Sequence, residues 1–362
     1  MMPFIRLATH RYEEPLALIW SRCAEHVGFR VVRTRDAYAS SDGRGTLLVA
    51  TDDQFDPDDN LGQMIFHELC HALVEGEAGE SLPDWGLDNT RMGNPWREYA
   101  CLRLQAWLAD SVGLRAFFAP TTDFRVTFWN TLGADPFAVP PENGGQREQS
   151  CVAGRIAVWR SCQARWHLPL QAALQASAHI AAAIRDCPGA NAPSSTQGLP
   201  SLWETTSIPP LLHPARHATL AAYLPHRSCA DCAWSFRSRS RLRCRHAPDK
   251  ALPETSPACT RHEPVETLDC QTCGACCREA YDSVEVSRRD PIIRRHPELV
   301  QDCGTHKKLQ RTGNRCAALK GGHTVHEPYA CSVYADRPQT CRAFTRGESH
   351  CLDARRRVGL SL

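Results

Sequence analysis

The chain lacks any run of 18 apolar residues, so no segment reads as a membrane-spanning helix. Its opening, Met1-Met2-Pro3-Phe4-Ile5-Arg6, has none of the apolar stretch of a secretory signal, and the expectation is a soluble cytoplasmic protein. Net charge is also small, +2 at pH 7, although residues 52 to 98 are acid-rich and residues 216 to 262 are dense in arginine. A secreted disulfide framework is excluded by three features together: the cysteine count is odd at 19, no signal precedes it, and Cys276 and Cys277 are adjacent. Between residues 120 and 190 no catalytic signature occurs, and His167 and His179 are isolated.

What is present begins with His67-Glu68-Leu69-Cys70-His71. On a helix, residues four apart lie one above the other, so the imidazoles of His67 and His71 can converge on one ion. Glu68 flanks that ion, where the general base of a hydrolytic site belongs. Asp56 reads as the N-cap of this helix, Pro57 as its first residue and Gly76 as its end. Leu61, Ile65, Leu69 and Leu73 form the apolar stripe beside the histidines.

A second helix start is legible at Asn94-Pro95, placing Glu98, Cys101, Leu102 and Gln105 on one face. Glu98 is the candidate third ligand for a catalytic zinc, with Glu75, Glu77, Asp84 and Asp88 as rivals. The set His67, Glu68, His71 and Glu98 resembles the gluzincin metallopeptidases. That resemblance implies a zincin-like, mostly helical α+β domain over residues 1–186, a bound Zn2+ and a peptide or protein substrate. It also implies that the strand candidate Thr46 to Thr51 is an edge strand able to hold an extended peptide. Before it come a helix over Pro15 to Val27, a strand over Phe29 to Thr34 and a turn at Ser40-Ser41-Asp42-Gly43. Two further helices are expected over Arg147 to Trp166 and Leu168 to Arg185.

Residues 187–226 are rich in Pro, Ser, Thr and Gly and read as a linker. Beyond it lie 13 of the 19 cysteines. Cys229, Cys232, Cys244 and Cys259 define a four-cysteine module over residues 227–264, a set suited to one tetrahedral ion, with His246 and His262 as substitutes for one sulfur. The alternating Arg237, Arg239, Arg241, Arg243 and Arg245 suit a solvated strand face rather than a nucleic-acid surface. Residues 265–362 carry Cys270-x2-Cys273-x2-Cys276-Cys277, then Cys316, Cys331, Cys341 and Cys351, with Cys303 unassigned. Cys-Gly-Ala-Cys-Cys-Arg together with Arg337-Pro-Gln-Thr-Cys-Arg-Ala-Phe344 resembles the CxxCxxCC family of zinc- or iron-chelating proteins. Thiolates at these positions suit zinc, iron or an iron-sulfur cluster alike.

Two functions compete on this reading. One is a zinc-dependent peptidase fused to a cysteine-rich chelating domain. The other is a non-proteolytic chelating or iron-sulfur protein, with a place in peptide maturation, whose N-terminal part only binds a partner.

Overall fold

The computed structural model describes residues 9–87, 95–138, 149–187, 198–278, 280–323 and 327–362. Asp88, Asn94, Arg147 and the start of the linker at Pro188 lie outside the described residues. Mixed helices and small sheets make up the chain, an α+β arrangement. Among the described residues no helix is long and apolar enough to cross a membrane.

Helix α1, Pro15–His26, starts with proline in its first turn and a Glu14 carboxylate accepting from the Ala17 amide at 2.8 Å. A three-stranded sheet follows: β1 Arg30–Thr34, β2 Ala39–Ser41 and β3 Thr46–Ala50. The strand order is β1-β3-β2, with β3 parallel to β1 and antiparallel to β2. The expectation of an edge strand at Thr46 to Thr51 is therefore corrected. β3 is central, both its hydrogen-bonding edges are taken, and Leu47 and Val49 on it are fully buried. The reason is β2, which forms where a turn was expected and leaves the reversal to Asp42–Gly45. There the Asp42 side chain accepts from the amides of Arg44 and Thr46.

Helix α2, Leu61–Glu80, begins four residues later than the Asp56-Pro57 reading placed it. Asn60 is the cap: its side chain accepts from the Gln63 amide at 2.9 Å, and the Gln63 side chain accepts from the Asn60 amide at 3.0 Å. Asp56 and Pro57 instead enter a turn closed by the Asp59 carboxylate on the Asp56 amide. Ile65, Leu69 and Leu73 are buried as expected. Gly76 marks a break rather than the end, at φ 66° and ψ −168°, with a last turn running on to Glu80. Arg160 donates through Nη1 to the carbonyls of Leu73 and Val74, at 2.7 and 2.6 Å, which the break releases.

Helices α3 Pro95–Asp110, α4 Gln149–Ser161 and α5 His167–Asp186 complete the N-terminal layer. Trp20 is the centre of its core, with its ring centroid 4.7 Å from Phe66 and 5.5 Å from Phe118 and its indole donating to Ser177 on α5 at 3.1 Å. A Cβ on Gly62 would lie 2.9 Å from atoms of both Leu16 and Trp20, so only glycine lets α1 and α2 approach this closely.

Residues 203–207 pack on this layer: the Trp203 ring lies tilted 4.3 Å from Phe117, and the Ser207 amide donates to the Gly113 carbonyl. An antiparallel sheet β4 Ser235–Ser238, β5 Arg241–Cys244 and β6 Ala247–Leu252 follows. Arg239 and Ser240, both at positive φ, make the two-residue turn between β4 and β5. The described part of residues 265–362 holds short strands, turns and helices of four or five residues ahead of helix α6, Ser349–Arg357. Arg355 on α6 pairs with Glu263, and Arg261 lies over the Trp107 ring of α3.

Gly76→Ala places a side chain at a left-handed φ, with its Cβ 2.8 Å from the Arg160 guanidinium. The expected cost is about 1–3 kcal/mol, checked by urea denaturation of the full chain.

Candidate metal centres

α3 packs along α2 and delivers its first two turns to the histidine pair. Glu98 Oε2 lies 3.1 Å from His71 Nε2, Glu98 Oε1 lies 3.6 Å from His67 Nε2, and the two Nε2 atoms are 3.1 Å apart. Bonds of about 2.0–2.1 Å to a tetrahedral zinc give ligand-to-ligand edges of about 3.3 Å. The two Nε2 atoms and the two carboxylate oxygens approach one another at spacings of about that size. Burial opposes charge on His71, but the Glu98 carboxylate outweighs it and holds the imidazole up at about 9. Burial likewise opposes charge on Glu98, and the two imidazoles bring its carboxyl down to about 2.

Residues around the triangle set its chemistry. Gln105 donates through Nε2 to the Phe118 carbonyl at 2.5 Å, so its Oε1, 2.9 Å from His67 Nδ1, accepts the imidazole proton. That tautomer leaves the His67 Nε2 lone pair facing His71 and Glu98. Cys101 is a further neighbour, its sulfur 3.7 Å from His67 Nδ1 and grouped with both histidines within 4.8 Å. It approaches the ring from the side Gln105 occupies, and burial raises its thiol well above the ordinary value. Glu98 faces Nε2 of both rings. Of its rivals, Glu75 is bound in two places by Arg97.

Glu68 is buried, and its Oε2 accepts from the indole N–H of Trp85 at 2.7 Å. Trp85 is fully buried and sits at φ 57°, next to Asp84 at φ 50°, both unusual for side-chain-bearing residues. Arg97 holds that turn from outside, donating to the carbonyls of Trp85 and Gly86 at 2.9 and 2.8 Å. Sequence gave no signal for Trp85, because no helical or strand period places a residue in a left-handed turn beside the site.

The second centre is a small pocket of about 10 Å³ lined by Cys229, Cys232, Cys244 and Cys259, all buried. Volume of that order holds one water-sized body. Burial and the neighbouring thiols push Cys229 and Cys259 up to about 12 and Cys232 up to about 11. Four soft donors lining one small pocket are the donor types that zinc or iron takes, and a metal's charge would stabilise their thiolates. The imidazole that reaches the sulfurs is His217, with Nε2 3.5 Å from Cys259 and 3.8 Å from Cys244. His213 Nε2 lies 3.2 Å from Cys229 Sγ. Of the two histidines singled out earlier, His246 stacks between Trp234 and His217, and His262 pairs with Asp231 at 3.0 Å. His213-x3-His217 was the available signal, masked by a composition that reads as linker.

The third centre is a cavity of about 340 Å³. Its walls include all eight of Cys270, Cys273, Cys276, Cys277, Cys316, Cys331, Cys341 and Cys351, from segments up to 81 residues apart (351 − 270). Cys303 does not line it. Residues 269–356 match the CxxCxxCC family, described as a putative zinc- or iron-chelating domain. The match covers the region that resembled that family in sequence and supports zinc or iron at these cysteines. No curated protein and no solved structure matches the chain, so nothing among the comparisons supports a gluzincin-like N-terminal part. No disulfide joins any of the 19 cysteines.

His71→Ala is expected to lower zinc bound by the zinc-saturated full chain by one equivalent, read by elemental analysis, with the cysteine sites still loaded. The same comparison has a pH dependence. A proton must leave His71, held at about 9, before its Nε2 can bind an ion, while Glu98 stays ionised. Between pH 6 and 8 the His71-dependent zinc affinity should therefore rise about tenfold per unit.

Proposed function

We propose that the chain is a zinc-dependent hydrolase of the peptidase type, carried on one chain with cysteine-rich metal-chelating modules. The observation that carries this reading is the convergence of the His67 and His71 Nε2 atoms, 3.1 Å apart, with the two oxygens of Glu98, at 3.6 and 3.1 Å from them. A zinc ion held there would supply a water of lowered pKa and polarise a substrate carbonyl.

The chain's own residues do the rest. Glu68 takes the proton from the attacking water and returns it to the leaving amine, with Trp85 fixing one of its oxygens. Gln105 keeps His67 in the tautomer that presents Nε2. His71 is buried, whereas the side chains of His67 and Glu98 are 23% and 21% exposed, leaving one open flank for substrate. Because β3 is central, an extended peptide would add to β2, which pairs only with β3 among the described residues and packs against α2 and the Pro83–Gly86 turn. Reduced thiols throughout the chain suit a reducing compartment such as the cytoplasm.

A second reading draws on the eight-cysteine cavity: the cysteine-rich region carries the activity, and the N-terminal part binds a peptide. Glu68→Gln separates the two. The zinc-loaded full chain should hydrolyse a fluorogenic peptide library, and the variant should keep its zinc while losing at least about a hundredfold in kcat. A chain with the N-terminal ion in place and no turnover, or a Glu68→Gln variant as active as the parent, rules out the hydrolase.

A further inference from the structure

The two cysteine-lined spaces differ greatly in size. The pocket of Cys229, Cys232, Cys244 and Cys259 is about 10 Å³, the space a lone ion needs. The cavity lined by eight cysteines is about 340 Å³, at the lower end of the range for small-molecule sites. It is large enough for polynuclear clusters, where the smaller pocket admits one ion.

The eight thiols also fall into two groups of four. Cys277, Cys316 and Cys331 pack with Val286, Ile292, Leu309 and Val333. Cys273 and Cys276 pack elsewhere, with Ala275, Ala280, Ala354 and Val358. The charged neighbours complete the division. Cys276 faces Cys351, Cys273 and Cys270 before any other thiol, and Cys277 faces Cys316, Cys341 and Cys331. Cys270 in turn faces Cys351 and Cys273, and Cys341 faces Cys316 and Cys331. Adjacent residues in the short turn Ala275–Cys277 thus serve opposite lobes. Arg355 Nη1 donates to Cys273 Sγ at 3.4 Å, a fixed positive donor on the sulfur of one lobe.

We propose that the cavity holds two iron-sulfur clusters, one on Cys270, Cys273, Cys276 and Cys351 and the other on Cys277, Cys316, Cys331 and Cys341. Four thiolates per lobe is the ligand count that [2Fe–2S] and [4Fe–4S] clusters take. The cavity size admits clusters, and the paired packing sets their number.

The test is anaerobic reconstitution of the full chain with ferric iron, a thiol reductant and sulfide, with zinc alone as the comparison. Iron and acid-labile sulfide are measured together with the visible charge-transfer absorbance. The intact chain should take up sulfide, with an equal amount of iron beyond the lone ions held at the other two centres. Cys276→Ser and Cys277→Ser should each lose about half of the sulfide. Adding Cys351→Ser to Cys276→Ser should cost nothing more, whereas adding Cys316→Ser to it should remove the remainder. The half retained in each single variant reports that the domain still folds, and Cys303→Ser should retain everything. Iron uptake with no acid-labile sulfide at all would overturn the assignment of clusters. Complete sulfide loss from either single variant, with Cys303→Ser unaffected, would overturn the division into two lobes.

Discussion

The packing of α3 against α2 is the contact on which the N-terminal half depends. Through it Glu98 reaches His67 and His71, Gln105 sets the tautomer of His67, and Arg97 grips Glu75 together with the turn that carries Trp85. A carboxylate withdrawn from water is costly unless it is paired, and here its partners are two imidazoles whose Nε2 atoms are themselves 3.1 Å apart. Two nitrogens and a carboxylate at that spacing share charge best through a cation between them. Either a proton on His71 or a cation between the three side chains satisfies that charge.

The same logic recurs in the cysteine-rich half with softer donors. Buried thiols crowded together are driven toward the neutral form by burial and by one another, as Cys229, Cys259, Cys276 and Cys341 all show. Residues 265–362 have little regular structure to support a core of their own. Metal-thiolate bonds supply cross-links that short strands and turns do not, which is how a small, loop-rich module gains stability. α6 adds to this by turning Arg355 onto Glu263 and Cys273 at once, tying the four-cysteine module to the larger cavity.

Much of this was legible in sequence because it depends on local period. The spacing of His67 and His71 and the stripe Ile65, Leu69 and Leu73 follow directly from 3.6 residues per turn, and the structure keeps both. Glu98 and Gln105 were on the expected face of α3 for the same reason. Cysteine positions pointed to thiolate chemistry without the need of a fold. Three features were hidden. The start of α2 depended on which of two cap candidates closes a reciprocal hydrogen-bond box, and Asn60 with Gln63 does so where Asp56 does not. The central place of β3 depended on β2, three residues long and too short to leave a period. His217 and Trp85 reach their sites from a coil and a strained turn, where sequence spacing carries no direction.

Zinc-edge anomalous diffraction from crystals of the zinc-loaded chain addresses the central claim most directly. The account requires an anomalous peak about 2.0–2.2 Å from Nε2 of His67, Nε2 of His71 and a carboxylate oxygen of Glu98. Anomalous density confined to the cysteine centres, with those three side chains joined only by hydrogen bonds, would contradict it.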